Sequence, residues 1–433
     1  ADRGYLVRDY APVGELIPGM GYLVRRLLEN TSNEGFLRRG FHDNEDADKL
    51  LASPRPTSKD SGTEHLTEYA KRPFANVSLI DFSEEPNREA FRAAISHLLD
   101  QLQRGPVTVK PIAGGEKLSG SKTIDSVSPE NQNFILAKIH LATGQDAEKA
   151  LEQLHAYFPK WRDTPTADRV RVLRRAAQIM EQRRFELAAT IVLEAGKPWI
   201  EADGDVAEAI DFLRYYAAEA EKLFTNTRLG DYPGEYNVLF YEPRGITSVI
   251  CPWNFPLAIP CGMFAAALVT GNVAILKPSA LTCLIALRMF EIFHDAGLPV
   301  EAAAFMPGPG SDVGETIVTS PLVSTIVFTG SKEVGLEIIR KAGQTNEKQE
   351  HVKRVIVEMG GKNAIIVDDD ADLDEAVKGV LYSAFGFQGQ KCSACSRAII
   401  LEDIYDKFVE RLTDAVNSLI IGPATDSASF MGP

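Results

Sequence analysis

Downstream of Tyr236 the chain falls into a regular alternation. Runs of four or five mostly apolar residues, at 247–251, 273–276, 303–306, 324–328, 355–358 and 364–367, each end in Gly, Pro or a polar turn, and helical segments separate them. Apolar runs this short predict strands buried on both faces. Strands of that kind alternating with helices predict a mostly parallel sheet covered on both sides, an α/β fold of the doubly wound, Rossmann-like type. Upstream the period is helical instead, with helices expected at 87–105, 146–158, 167–195 and 201–224. Leu23, Leu27 and Leu28 keep helical spacing over 21–30. A stretch rich in Asp, Ser, Pro and Lys follows and predicts a linker. The expected organisation is a short N-terminal segment (1–40), the linker (41–74), a dinucleotide-binding domain (75–345) and a further domain (346–433).

One part of the pattern imitates a membrane span. Residues 245–276 are 32 in a row without a charge, more than the roughly 20 that a bilayer helix needs. Pro252, Pro256, Pro260, Gly262, Gly271 and Asn272 cut the run into strand, turn, short helix and strand. That content predicts buried α/β core, with no integral membrane segment. The formal charge is −14, from 46 Lys and Arg against 60 Asp and Glu, which argues against nucleic acid as a partner and for small-molecule chemistry. Five cysteines, all beyond residue 250, do not form a secreted disulfide framework and imply a reducing compartment.

Ligands of doubly wound sheets bind at the carboxyl ends of the strands, so the residues there carry the functional reading. Gly330-Ser331-Lys332-Glu333-Val334-Gly335 follows a strand and opens a helix, whose free N–H groups and dipole suit a pyrophosphate; glycine also simply turns strands into helices. Gly308-Pro309-Gly310-Ser311-Asp312-Val313-Gly314 approaches a dinucleotide fingerprint, but its third glycine comes one residue late and Pro309 intrudes, which favours a turn. Lys277, before Pro278-Ser279, suits a nucleotide ribose or is a solvated strand-end lysine. Cys392 follows a lysine at an expected helix N-terminus, two features that lower a thiol pKa and make a nucleophile; a buried inert thiol is the alternative. Cys395 lies three residues on, yet no second ligand pair exists and the nearest histidine is His351, so no metal is expected. Glu358 ends an apolar strand at a glycine pair and suits a general base or a salt-bridged cap. Asn254, in a turn stiffened by Pro252 and Pro256, offers an amide donor for an oxyanion, or is an ordinary turn asparagine.

Pro252-Trp-Asn-Phe-Pro256, Lys277-Pro-Ser279, Phe328-Thr-Gly-Ser331, Glu358-Met-Gly-Gly-Lys362 and Gly389-Gln-Lys-Cys392 together resemble the ordered motif series of the aldehyde dehydrogenase superfamily. Glu194-Ala-Gly-Lys-Pro-Trp199, 207–212 and 385–394 resemble in particular the L-glutamate-γ-semialdehyde (1-pyrroline-5-carboxylate) dehydrogenases, over roughly residues 75–433. The resemblance implies NAD as coenzyme, Cys392 as nucleophile, Asn254 and the Cys392 N–H as oxyanion donors, and Glu358 as the base that activates water. It implies that Trp253, Lys277, Ser279, Gly330 and Ser331 hold the dinucleotide and that Phe255, Glu208 and Ser393 lie near the aldehyde. Two alternatives stay beside it: a non-catalytic nucleotide-binding fragment, and an acylating dehydrogenase that passes the acyl group to coenzyme A.

Tyr10-Ala-Pro-Val-Gly14 and 22–30 resemble the last strand and helix of a proline dehydrogenase barrel, as in the bifunctional proline utilization A family. That likeness implicates Arg25 and Arg26 in binding the proline carboxylate, and Tyr10 and Tyr22 in shaping its pocket. FAD would belong only to the proline dehydrogenase part of a full-length protein, because one strand and one helix cannot close an eight-stranded barrel. The family expectation is a cytoplasmic bacterial enzyme, homo-oligomeric when full length. Three departures stand out. Ala280 replaces a glutamate that in many relatives helps choose NAD over its phosphorylated form, the later Glu-Ile-Phe-Gly-Pro motif and oligomerisation flap are expected beyond Pro433, and Cys395 adds a second thiol.

Overall fold

The computed structural model describes residues 74–433 except Asp231 and Asn346. These form two units, Gly361–Leu419 and a larger one made of 74–360 with Ile420–Pro433. The expected division at 345/346 therefore falls at 360/361. The strand at 354–358 pairs into the large sheet, so cutting before it would expose a full hydrogen-bonded ladder.

The larger unit opens with α1 (Glu85–Gln103), the short strands β1 (Val107–Val109), β2 (Ile112–Ala113) and β3 (Glu116–Lys117), and the pair β4 (Lys122–Val127) and β5 (Ile135–Leu141). Four helices follow: α2 (Gly144–Arg162), α3 (Thr166–Gln182), α4 (Arg184–Ala195) and α5 (Trp199–Leu223). A small hairpin, β6 (Thr227–Arg228) and β7 (Val238–Leu239), precedes the alternating half. That half runs β8 (Ile246–Ile250), α6 (Ala258–Val269), β9 (Val273–Lys277), α7 (Cys283–Asp295), β10 (Ala303–Phe305), α8 (Glu315–Thr319), β11 (Val323–Thr329), α9 (Lys332–Ala342) and β12 (Arg354–Glu358).

Seven strands form the main sheet in the order β12-β11-β8-β9-β10-β2-β3. The first five are parallel, and β2 and β3 continue antiparallel at the edge. All five residues of β8 are buried, Thr247 and Ser248 included, as a strand covered on both faces requires. The uncharged run resolves into β8, α6 and β9, and no helix among the described residues is long and apolar enough to cross a membrane. A separate three-stranded sheet, β1-β5-β4, lies in the same unit.

Local chemistry sets the helix ends. Thr143 and Asp146 close a reciprocal capping box at the start of α2, and Ala147, Ala150, Leu151 and Leu154 form its buried stripe. The single helix expected at 167–195 is two. Arg183 leaves the helical ladder at φ −101° and ψ 18°, and its guanidinium grips Glu186 at 2.9 and 2.8 Å. The break turns the chain so that Met180 on one side and Leu187 on the other both reach the core. No glycine or proline marks this bend; packing imposes it.

The smaller unit contains β13 (Asn363–Val367), α10 (Leu373–Phe385), β14 (Cys395–Ile400) and α11 (Glu402–Asn417). β13 and β14 pair in parallel. Val367, Val377, Val380 and Phe408 form its own small core.

Candidate active site

The sheet changes direction beside β8. From β8 the chain steps to β9 and β10 on one side, then crosses to β11 and β12 on the other. At such a switch point the loops leaving neighbouring strands diverge and open a crevice at the carboxyl ends. The register pairs Ile250 with Lys277 and with Phe328, and Thr329 with Glu358. The loop 251–257, Lys277, Gly330-Ser331 and Glu358 therefore all leave the sheet at one edge.

On this edge the groups suited to a dinucleotide gather. Lys277 is mostly buried, and burial holds its ammonium below the usual lysine range. Its ammonium has no hydrogen bond or ion pair among the described residues, so a ligand oxygen would satisfy it. The Ser279 hydroxyl accepts the Leu281 N–H at 3.3 Å. Ser331 caps α9 by accepting the Val334 N–H. The Gly330 N–H is committed to the Glu358 carbonyl at 3.0 Å. The helix donors left for a phosphate are thus the N–H groups of Lys332 and Glu333, which have no partner among the described residues. These residues fit a dinucleotide. Gly310–Gly314 is a single wide helical turn leading into α8, in keeping with the turn reading of that glycine run.

The loop after β8 carries Asn254. The Cys251 N–H, at its start, donates to the Lys277 carbonyl at 3.1 Å. Trp253 is 38% exposed and Asn254 is half-buried. Phe255 is only 3% exposed, with the Lys197 ammonium 3.9 Å from its ring centroid. At the loop's end the Ala258 N–H donates to Asp205 at 2.7 Å. Glu208 is buried on the same helix, α5, one turn beyond Asp205. Glu358 stands exposed at the end of edge strand β12.

Cys392, Ser393 and Cys395 belong to the smaller unit. The expected helix N-terminus at Cys392 is not there: Cys392 sits in a turn between Gly386–Gly389 and β14. Phe387 and Gln388 adopt left-handed backbone, φ 47° and 55°, and Gly389 follows at 67°. Consecutive left-handed residues reverse the chain where a helix would have continued. Asn363 donates from its side-chain amide to the Cys392 carbonyl at 2.7 Å and so anchors the turn. The Lys391 ammonium lies 5.0 Å from the Tyr382 ring centroid. The buried Ser393 hydroxyl has no hydrogen-bond partner among the described residues, which leaves it available to a substrate. Cys395 is buried, its N–H bonded to Ser383 and its thiol donating to the Arg397 carbonyl at 3.3 Å. All five cysteines are free thiols.

Comparison with known proteins follows the same lines. The Aldehyde dehydrogenase family model matches residues 117–433. The chain belongs to the aldehyde dehydrogenase family. The Proline dehydrogenase model matches residues 1–39, and Tyr10, Tyr22, Arg25 and Arg26 lie outside the described residues. This aldehyde dehydrogenase is 43% identical over 363 residues to the 1-pyrroline-5-carboxylate dehydrogenase of Geobacillus kaustophilus (strain HTA426), covering 84% of the chain and 70% of the relative. Among solved structures, proline utilization A from Bdellovibrio bacteriovorus is 47% identical with a TM-score of 0.82, covering all of this chain and 44% of that one. The NAD-bound 1-pyrroline-5-carboxylate dehydrogenase from Thermus is 41% identical with a TM-score of 0.81, covering 84% of this chain and 70% of that one. This chain thus spans less than half the length of the Bdellovibrio protein.

Three residues around this site had no chemical signal in the sequence reading: Glu194, Lys197 and Asp205. Glu194 accepts the N–H groups of Leu284 and Ile285 at 2.7 and 2.9 Å and so caps α7, the helix that follows Ser279. The usable hint was acids at 203, 205, 208 and 211 set among the apolar Ala202, Val206, Ala207, Ala209 and Ile210 of α5, a pattern that calls for buried partners.

Proposed function

We propose that this aldehyde dehydrogenase oxidises L-glutamate γ-semialdehyde, the open form of 1-pyrroline-5-carboxylate, to L-glutamate with NAD. The 43% identity to a 1-pyrroline-5-carboxylate dehydrogenase carries the substrate reading. The N-terminal proline dehydrogenase match supports a bifunctional protein whose other half oxidises proline with FAD; we read the whole as a homo-oligomeric cytoplasmic enzyme, and the net charge of −14 argues against a nucleic-acid partner. In that layout 1–40 belong to the end of the proline dehydrogenase part, 41–74 link the two parts, and the remainder oxidises the aldehyde.

Cys392 attacks the aldehyde carbon through its thiolate and forms a thiohemiacetal. The Asn254 side-chain amide and the Cys392 N–H donate to the oxyanion as it develops, where fixed donors stabilise charge most. Bound NAD supplies the hydride acceptor that leaves a thioester on Cys392. Lys277, Ser279, Ser331 and Trp253, with the α9 N-terminus beyond Gly330, hold the dinucleotide. Glu358 then takes a proton from water, the resulting hydroxide attacks the thioester, and the thiolate departs as L-glutamate is released. An exposed carboxylate at a strand end suits that step, since it meets water directly. Phe255, Glu208 and Ser393 shape the aldehyde's surroundings.

The test is coupled turnover with NAD on a panel of aldehydes. A kcat/KM for γ-semialdehyde at least tenfold above that for acyclic aldehydes lacking the amino acid group supports the substrate. Equal values reject it.

A further inference from the structure

We propose that Lys197 is a positioning residue for the oxyanion donor Asn254, acting through Asp205 and Phe255. The proposal rests on the role assigned to Asn254 above and adds what holds that amide in place.

Lys197 sits between α4 and α5, where Gly196 ends α4 in left-handed backbone at φ 67°. A Cβ on Gly196 would lie 2.9 Å from Pro433 and 3.0 Å from Pro129, so the turn admits only glycine and holds Lys197 in one direction. The Lys197 side chain is fully buried, with Nζ 2.9 Å from Asp205 Oδ2, itself fully buried. The same ammonium lies 3.9 Å from the Phe255 ring centroid. The other Asp205 oxygen, Oδ1, accepts the Ala258 N–H at 2.7 Å in the first turn of α6. A carboxylate there also faces the positive end of the helix.

Asn254 therefore hangs on a loop secured at three points. Cys251 is tied to the Lys277 carbonyl, Phe255 lies on Lys197, and Ala258 is tied to Asp205. One ion pair supplies the last two. A buried ion pair seldom stabilises a protein more than apolar side chains of the same volume would. Its contribution here is directional: two short contacts on either side of Pro256 set where the neighbouring amide points. Oxyanion donors act through that aim, and displacement by about 1 Å costs on the order of 10²-fold in rate.

The experiment uses the full-length protein with Lys197→Met, Lys197→Arg and Asp205→Asn, each alone and combined with Asn254→Ala. Turnover is measured on γ-semialdehyde and on propanal, coenzyme affinity by titration, and backbone hydrogen exchange by mass spectrometry. Lys197→Met is expected to lower kcat by roughly 10- to 100-fold with NAD affinity within about twofold. It should lower kcat no further when Asn254 is already Ala, whereas Lys197→Arg recovers part of the rate. Exchange should quicken over 253–258 and stay unchanged in β9, β10 and β11. If Lys197→Met does not fold, Asp205→Asn carries the same test, because it keeps the volume and an acceptor for Ala258. Losses that multiply with that of Asn254→Ala, faster exchange across the whole sheet, or unchanged kcat and exchange would each overturn the proposal. Wild-type turnover of propanal without turnover of γ-semialdehyde rejects the substrate reading alone, and the exchange comparison needs no turnover.

Discussion

The Gly330 N–H donates to the Glu358 carbonyl at 3.0 Å, joining the turn before α9 to the last residue of β12. This bond ties the proposed coenzyme turn to the residue that bears the proposed base. Gly330 also has no room for a side chain: a Cβ would lie 2.6 Å from the Phe328 ring. Gly330→Ala must push Phe328 or the turn aside, an overpacking cost of about 1–3 kcal/mol. Titration with NAD is expected to show affinity about tenfold weaker than wild type. Wild-type affinity would show that the turn is not part of the coenzyme site.

Cys392→Ala should abolish aldehyde oxidation in the intact protein and leave NAD binding intact, because the thiol is the sole covalent group in the proposed reaction. Turnover by the variant, measured as NADH formation, would refute the nucleophile assignment.

Glu358→Gln separates the two halves of the reaction. Hydride transfer precedes the use of the base, so rapid mixing should show an NADH burst approaching one per site. The following steady state should be slower by about 10²–10⁴-fold. A burst as slow as the steady state places Glu358 before hydride transfer instead.

Asn254→Ala should cost about 10²–10³-fold in kcat, the usual loss for one oxyanion donor. Substrate KM should change little, since the donor acts on charge that exists only in the transition state. A change confined to KM would make Asn254 a substrate contact.

Burial pushes the Glu194 carboxyl up to about 7, with the N–H groups of Leu284 and Ile285 and the charge of nearby Arg288 pulling the other way. Its usual value is 4.5. The folded protein thus holds this proton more tightly than the unfolded chain. The associated stability is fully present below about pH 4.5 and is lost as the pH rises to about 7. The gap between 4.5 and about 7 corresponds to roughly 3 kcal/mol. Glu194→Gln removes this titration, so its Tm relative to wild type should rise between pH 5 and pH 8. A Tm difference independent of pH would show that Glu194 does not titrate in this range.

The chain's own pattern was enough for the alternating half. Apolar runs such as Val273–Lys277 predict buried strands because a strand covered on both faces has no polar positions to spare. Asn254, Lys277, Ser331, Glu358 and Cys392 were visible as candidates because each stands in a turn just beyond such a run or within a motif. Tertiary structure decided the rest. Arg183 bends a continuous helical pattern because packing, not residue preference, demands it. Cys392 stands in a turn after two left-handed residues, although the sequence reads there as a helix start. Lys197, although it stands in a motif, and Asp205 show no pairing along the chain until packing buries them together. Periodicity records which side of an element faces the core, and a contact between residues far apart in the chain has no period to record it.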